Sequence, residues 1–413
     1  MNILVLNCGS SSIKYQLFDM RDKSVLAKGL VHRVGMAGSK IDHKKGDKGD
    51  KVTVSSEILD HKDGIKKVLD LLVSKENGVI KSLNEIKAVG HRVVHGGEKF
   101  AGSVLIDQEV LDAVKECVNF APLHNPPNLK GIEAVLELMP NVKQAGVFDT
   151  AFHQTMPSKA FLYALPYMFY EKEKIRRYGF HGTSHRFVSK RASEMLKIPY
   201  ERSKIITCHL GNGCSIAAVQ GGVSVDTSMG HTPLEGLVMG TRCGDIDPAI
   251  ILHIMKKHEL TPQELDNLLN KHSGVQGISG ESNDLRDLEE GWPNRSERAN
   301  LALDVYAYRI RKYIGAYIAV MNGCDALAFT AGVGENSPII RELACKNLDF
   351  LGIKIDMDLN NKTWRGVEGD ISTPDAKVRT LVVGTNEELV IAEDTFDLIE
   401  GRLDPKTGKP KRK

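Results

Sequence analysis

The sequence predicts an α/β fold in which one strand–turn–strand unit occurs twice, half a chain apart. Three observations carry this. Apolar, strand-like segments alternate with stretches of helical period along the chain. Ile3-Leu4-Val5-Leu6, the small polar turn Asn7-Cys8-Gly9-Ser10-Ser11-Ser12 and a second apolar segment at 13–18 are echoed by residues 205–216, where His209-Leu210-Gly211-Asn212-Gly213-Cys214 forms the turn. At 413 residues the chain is long enough for two or three domains with self-sufficient cores. Two equivalent phosphate-facing hairpins suggest duplicated domains around a cleft.

The remaining elements follow in order. Residues 40–51 are polar and highly charged and read as a solvated hairpin or loop. Ile65, Val68, Leu69 and Leu72, then Val110, Leu111, Val114 and Val118, recur at helical spacing. Residues 145–148 read as a short buried strand ending at Asp149. Thr261-Pro262-Gln263-Glu264 combines a capping box with Pro at the first helical position, and Ser337-Pro338 starts another helix. Thr385-Asn386-Glu387-Glu388 reads as a third capping box, after the strand Leu381-Val382-Val383. The basic residues 406–413 read as a frayed tail.

Composition excludes several classes. Lys and Arg number 55 against 53 Asp and Glu, so no global charge draws the chain to nucleic acid or a membrane surface. Seven scattered cysteines without a Cys-x-x-Cys argue against zinc and disulfide frameworks. The first Lys is Lys14, which does not fit a signal peptide, and no apolar run is long enough to span a bilayer. A reducing cytoplasm is the expected location.

The familiar phosphate-binding motifs are missing. The lone Gly-Lys pair, Gly408-Lys409, is followed by Pro410, so there is no P-loop. Gly211-x-Gly213 and Gly332-x-Gly334 lack the third glycine of the dinucleotide fingerprint, and the protein-kinase motifs are absent. Glycine-rich turns remain, whose backbone N–H groups can face phosphate oxygens without a Cβ in the way.

Two glycine-framed arginines stand out: Gly90-His91-Arg92-Val93-Val94-His95-Gly96-Gly97 and Met239-Gly240-Thr241-Arg242-Cys243-Gly244-Asp245. Flanking glycines let a ligand approach, and the guanidinium fork suits carboxylate or phosphate. One such arginine reads as a structural ion pair. Two in a nearly neutral protein suggest an anionic transition state to be clamped. Asp149, at a strand end, is either an N-cap or the carboxylate that orients a metal, water or guanidinium. In Gly179-Phe180-His181-Gly182-Thr183-Ser184-His185 the histidines have the i, i+4 spacing of a zinc pair, but Gly182 stands where a zinc protease needs Glu. Thr183 or Ser184 is expected to cap a helix starting near His185, with His181 just outside it as a hydrogen-bond donor to a transferring group. With Glu388 assigned to the cap, Glu387 is the better candidate for a metal. Cys8, beside Asn7, is expected to react with thiol reagents.

These segments resemble the acetate and butyrate kinase family of the sugar-kinase/heat-shock/actin superfamily. Residues 4–14 and 168–185 carry the two signatures, and matching blocks run through the regions of Arg92, His124, Asp149, Asn212, Arg242, Asp284, Gly332 and Glu387. The resemblance spans essentially the whole chain; residues 40–51 and the basic tail are unmatched. It implies two duplicated actin-like (ribonuclease H-like) domains around an interdomain cleft: residues 1–150 with 388–413, and residues 151–387, the latter carrying most of the nucleotide site. It implies reversible, direct in-line transfer of the γ-phosphoryl of ATP to acetate, with Mg²⁺ (Mn²⁺ as a substitute), in a homodimer. By the same resemblance Arg92, Arg242, His181, Asp149 and His124 are catalytic. Arg92, Val94, Leu123, Phe180 and Pro233 bind the acid, and Asn7 and Glu387 hold the metal. Lys14, His209, Leu210, Gly211, Asn212 and Gly213 attend the phosphates. Asp284, Leu285, Arg286, Gly332, Val333, Gly334, Glu335 and Asn336 surround ribose and base. The alternatives are a kinase for propionate or butyrate, a non-catalytic actin-like nucleotide binder, which has no use for two framed arginines, and a carbohydrate kinase, which wants polar side chains where Val94, Leu123, Phe180 and Pro233 stand.

Overall fold

The computed structural model describes residues 1–122 and 124–410; Leu123 and residues 411–413 lie outside the described residues. The chain divides into two compact units, Met1–Gln154 with Asn386–Lys413, and Thr155–Thr385.

The first unit is built on β1 (Asn2–Cys8), β2 (Ser12–Asp19), β3 (Ser24–His32), β4 (Lys40–Lys45), β5 (Lys51–Ser55), β6 (Ile86–Val93), β7 (Val104–Leu105) and β8 (Lys143–Phe148), in the order β5-β4-β3-β2-β1-β6-β8-β7. β1 runs antiparallel to β2 and parallel to β6, which is parallel to β8. The second unit holds β9 (Lys204–Leu210), β10 (Cys214–Gln220), β11 (Val223–Thr227), β12 (Ala326–Thr330), β13 (Gly369–Asp370) and β14 (Arg379–Val382), in the order β11-β10-β9-β12-β14-β13. β9 runs antiparallel to β10 and parallel to β12, which is parallel to β14. Thus β3-β2-β1-β6-β8 and β11-β10-β9-β12-β14 repeat one order and one set of directions. The fold is the duplicated actin-like one, and the half-chain echo in the sequence is its two leading hairpins.

The continuous apolar run of β1 is what a strand covered on both faces requires. Leu4 and Leu6 join a core with Ile65, Leu69 and Val135, from the helices His61–Val73 and Asn125–Leu138. Ile3 and Val5 face the other way, against Ile391 and Ala392 of the helix Glu387–Ile399. In the second unit the helix Gly182–Leu196 contributes Val188 and Ala192 to a core with Ile205, Ala328 and Leu381.

The charged segment 40–51 is a hairpin, β4–β5, that extends the first sheet. The C-terminal stretch is docked rather than frayed as far as it is described: Leu105 N donates to Pro405 O at 2.9 Å and Asp404 N to Lys409 O at 2.8 Å. Thr261 and Ser337 cap their helices as expected. Two other caps differ. Asn386, not Thr385, caps the C-terminal helix by accepting from Leu389 N. The reason is that Thr385 is drawn to Ser184 (Oγ to Oγ1 2.9 Å) and Glu388 to Lys14 (2.5 Å). The helix expected to start near His185 starts at Gly182, with His181 as its N-cap in the left-handed region and no side-chain cap.

Candidate active site

In the first unit Arg92 lies near the C-terminal end of β6, and Asp149 directly follows the neighbouring parallel strand β8. The side chains meet in a two-point grip: Arg92 Nε donates to Asp149 Oδ1 at 3.2 Å and NH2 to Oδ2. Burial opposes the guanidinium charge, but the carboxylates of Asp149, Glu387 and Glu388 more than offset this and raise the Arg92 pKa above its ordinary value. Asp149 thus orients a guanidinium.

Glu387 opens the C-terminal helix. Burial raises its carboxyl to about 7; Arg92 pulls it down, while Asp149 and Glu388 push it up. Its Oε1 is buried and has no hydrogen-bond partner among the described residues. Asn7, on β1, stands opposite Lys14 on β2, and Lys14 is engaged by Glu388. A buried, unpaired carboxylate oxygen is a donor waiting for a cation. Among the described residues no group of three or more His, Cys, Asp or Glu forms a metal cage. One carboxylate plus neutral oxygens fits Mg²⁺, which keeps waters and shares substrate phosphates, better than a metal held by protein alone.

The apolar Val94 is 3% exposed, and its backbone N–H donates to Asn128 Oδ1 at 3.0 Å. Asn125 accepts from His95 N at 3.1 Å, and Asn128 Nδ2 donates to Cys8 O at 2.8 Å. The sequence reading passed over both asparagines, although Asn-Pro-Pro-Asn at a helix start was a visible signal. His124 is the N-cap residue of that helix, and Leu123 lies outside the described residues. Cys8 is 3% exposed and burial pushes its thiol up to about 12, so the expected reactivity is not supported. Two of the glycines around Arg92 are required by packing. A Cβ on Gly90 would stand 2.5 Å from Thr395 Oγ1, and one on Gly96 would stand 2.7 Å from Phe148 Cδ1.

In the second unit His181 holds φ 56°, a backbone state that costs a non-glycine residue about 1–3 kcal/mol and clusters at functional sites. Its ring stacks on that of His209, with centroids 4.1 Å apart. His209 is in turn held by Ser184 through Nδ1 at 2.8 Å. His181 Nδ1 lies 2.8 Å from Ser215 Oγ. A Cβ on Gly213 would stand 3.6 Å from both His181 Nε2 and Arg242 NH1, so both groups face the Gly211–Gly213 turn. Arg242 NH1 donates to Pro233 O at 3.2 Å, and no carboxylate pairs with this guanidinium among the described residues. Burial lowers its pKa. It is a cation lacking an anion. Phe180 is buried and Pro233 half-buried.

Beside this group lies a cavity of 790 Å³ whose walls include Gly211, Asn212, Asp284, Leu285, Arg286, Gly332, Val333 and Asn336. Leu210, Gly213, Gly334 and Glu335 do not line it. Glu335 instead accepts from Ala331 N at 2.9 Å and Thr385 N at 3.2 Å, and Gly334 O accepts from Arg341 at 2.9 Å. The cavity adds Asn283, Glu289, Trp364 and Arg365, for which the sequence held no local signal. Its size and its mixture of glycine, amide and carboxylate groups suit a nucleotide.

The profile of the acetokinase family matches residues 2–393. The chain belongs to the acetokinase family. Relatives include proteins named acetate kinase from Pseudothermotoga lettingae, 59% identical over 98% of each chain, and Fervidobacterium nodosum, 60% identical over 98% of this chain and 99% of the relative. Among solved structures, Porphyromonas gingivalis acetate kinase is 50% identical, with a TM-score of 0.92 over 96% of this chain and 99% of that one. A propionate kinase from Francisella tularensis is 42% identical, with a TM-score of 0.89 over the same shares. Acetokinase-family membership makes the chain a kinase. It accounts for the fold.

Proposed function

We propose that the chain transfers the γ-phosphoryl of ATP directly to acetate, giving acetyl phosphate and ADP, and runs the reverse. The observation that carries the reading is Arg242, a half-buried guanidinium without a carboxylate partner among the described residues, beside the αL-strained His181 and the Gly211–Gly213 turn. In the forward reaction an acetate oxygen bonds to the γ-phosphorus as the bond to the bridging oxygen of ADP breaks. Acetate is ionised at pH 7, so no proton has to be removed. This fits an Asp149 already committed to Arg92.

The chain's tasks are therefore positioning and charge neutralisation. Arg92 and Arg242 bind the carboxylate and the equatorial oxygens of the moving group, and His181 donates to one of them. His124 completes the set. Val94, Phe180 and Pro233 supply apolar surface for the methyl group. The nucleoside occupies the 790 Å³ cavity. Asn7 and Glu387 hold Mg²⁺, directly or through water. When bound, the ion supplies positive charge to the phosphate oxygens. The protein acts as a homodimer, for which the exposed Leu252 and Tyr308 offer apolar surface; light scattering of the purified chain tests that part.

A one-methylene difference in an apolar pocket is worth about 1–3 kcal/mol, so propionate should turn over more slowly. The test is ADP release with ATP and Mg²⁺ against acetate, propionate, butyrate and glycerol, with hydroxylamine trapping the acyl phosphate. Acetate-dependent release with a trapped hydroxamate supports the reading. Faster turnover of propionate moves it to a longer acid, and nucleotide binding without acid-dependent turnover overturns it.

A further inference from the structure

The Ser215 hydroxyl lies between two imidazoles, 2.8 Å from His181 Nδ1 and 2.7 Å from His185 Nε2. The other nitrogen of His185, Nδ1, is 2.7 Å from Thr207 Oγ1. Four side chains thus form one line, running from the interior of β9 through the helix Gly182–Leu196 and β10 to His181. Thr207, His185 and Ser215 are each 0% exposed, so bulk water cannot stand in for a missing donor.

A hydroxyl has one proton to give and a neutral imidazole has one N–H, so the line can be satisfied in two senses. In the first, Thr207 donates to His185 Nδ1, His185 Nε2–H donates to Ser215, and Ser215 donates to His181 Nδ1. His181 then carries its proton on Nε2. In the second sense every donor is reversed, and a neutral His181 turns a bare Nε2 lone pair outward. His181 Nε2 faces the Gly211–Gly213 turn. An anionic phosphoryl oxygen there requires an N–H, which a neutral ring offers only in the first sense. Ring orientation is fixed as well, because flipping the His181 imidazole would move Nδ1 away from Ser215.

We propose that Thr207, His185 and Ser215 form a hydrogen-bonded line that holds neutral His181 in its Nε2–H tautomer. They are positioning residues for the donor used in phosphoryl transfer, and the inference rests on that reading of His181. In the sequence, the spacing of His181 and His185 reads as a zinc pair without its glutamate. The structure gives that spacing another meaning: two histidines one helical turn apart share one serine.

The experiment is a long-range proton–nitrogen NMR spectrum of the full chain with ¹⁵N-labelled histidine, at neutral pH. His181→Asn identifies the His181 signals among the 14 histidines. The expected wild-type result is a protonated Nε2 and a bare Nδ1. Thr207→Val keeps the branched shape while removing the hydroxyl two links away, and is expected to leave His181 in a tautomer mixture. Its kcat for acetate should fall by about 10- to 100-fold, less than the 10²–10³ lost when a preorganised donor is removed outright. KM should hold, and Thr207→Ser should restore both readouts. Ser215→Ala should act more strongly; where it fails to fold, Thr207→Val carries the test. A wild-type His181 that is an imidazolium or carries its proton on Nδ1 overturns the proposal, as does an unchanged tautomer in Thr207→Val. If acetate is phosphorylated but the tautomer ignores Thr207, this inference alone falls. Absence of acid-dependent turnover strikes the reading of the reaction instead.

Discussion

Arg92 and Asp149 join the ends of two parallel strands through a two-point guanidinium–carboxylate grip. Asp149 is 1% exposed, and the Arg92 fork engages both of its oxygens. Asp149→Asn should misplace Arg92 and lower kcat by about 10²–10³, the scale of losing one preorganised donor. Because the two act as a unit, Arg92→Ala combined with Asp149→Asn should cost little more than the worse single change. Fully additive losses in kcat would show that Asp149 works independently of Arg92.

Arg242 presents the opposite case. With no carboxylate to hold it among the described residues, its charge is available to an incoming anion. Arg242→Ala should lower kcat by about 10²–10³ while leaving thermal stability nearly unchanged. Arg242→Lys should recover only part of the rate, since an ammonium lacks the planar fork. Near-normal turnover of purified Arg242→Ala would remove this residue from the transition state.

Gly90 supports the C-terminal helix. An added Cβ would come within 2.5 Å of Thr395 Oγ1 and 2.7 Å of Ile391 Cγ2, so β6 and the helix would have to separate. Gly90→Ala should destabilise the protein by about 1–3 kcal/mol, the usual cost of overpacking. A melting temperature equal to wild type would show that the helix docks with slack.

That glycine also shows where sequence reasoning stops. A Gly beside an Arg signals close approach, but a string of residues does not say what approaches: here it is Ile391, some three hundred positions on. Local signals did better. The paired hairpins, the buried run of β1 and the caps at Thr261 and Ser337 depend on neighbours in sequence, and all were legible. The Thr385 cap failed because Lys14, far away in the chain, takes the Glu388 side chain that the cap required. Arg92, Asp149, His181 and Arg242 stood out by their motifs and by family resemblance. Their supports, among them Asn125, Asn128, Ser215 and Thr207, are ordinary polar residues whose importance comes only from tertiary placement.

Trp364 tests the nucleotide cavity. It is one of two tryptophans in the chain, is 37% exposed on the cavity wall, and has the Arg365 guanidinium 4.0 Å from its ring centroid. Arg365 N donates to Asn336 Oδ1 at 3.0 Å, and Asn336 Nδ2 donates to Gly332 O at 2.9 Å, so this wall is tied to the Gly332 turn. In a Trp292→Phe background, ADP should change Trp364 fluorescence in a saturable way, while Trp364→Ala weakens ADP binding measured by calorimetry. If calorimetry detects ADP binding and Trp364 emission does not respond, the base lies elsewhere.

His91 gives the protein a pH-dependent stability of predictable sign. It is 2% exposed, and its Nε2 lies 2.6 Å from Gln144 Oε1. Burial lowers its pKa from 6.5 to about 4, against a smaller upward pull from Gln144. Below pH 6.5 the unfolded chain takes up a proton that the folded protein refuses until pH approaches 4. Stability therefore rises with pH in this window; the His91 contribution is fully present above 6.5 and is lost as pH falls towards 4. The shift corresponds to about 3 kcal/mol as an upper scale. His91→Gln keeps a donor for Gln144 but cannot titrate. Urea unfolding of the two proteins from pH 7.5 down to 4 should show wild type losing stability faster than the variant. If the difference between them stays constant across that range, His91 accepts its proton inside the fold at little cost, and acid sensitivity has to come from other groups.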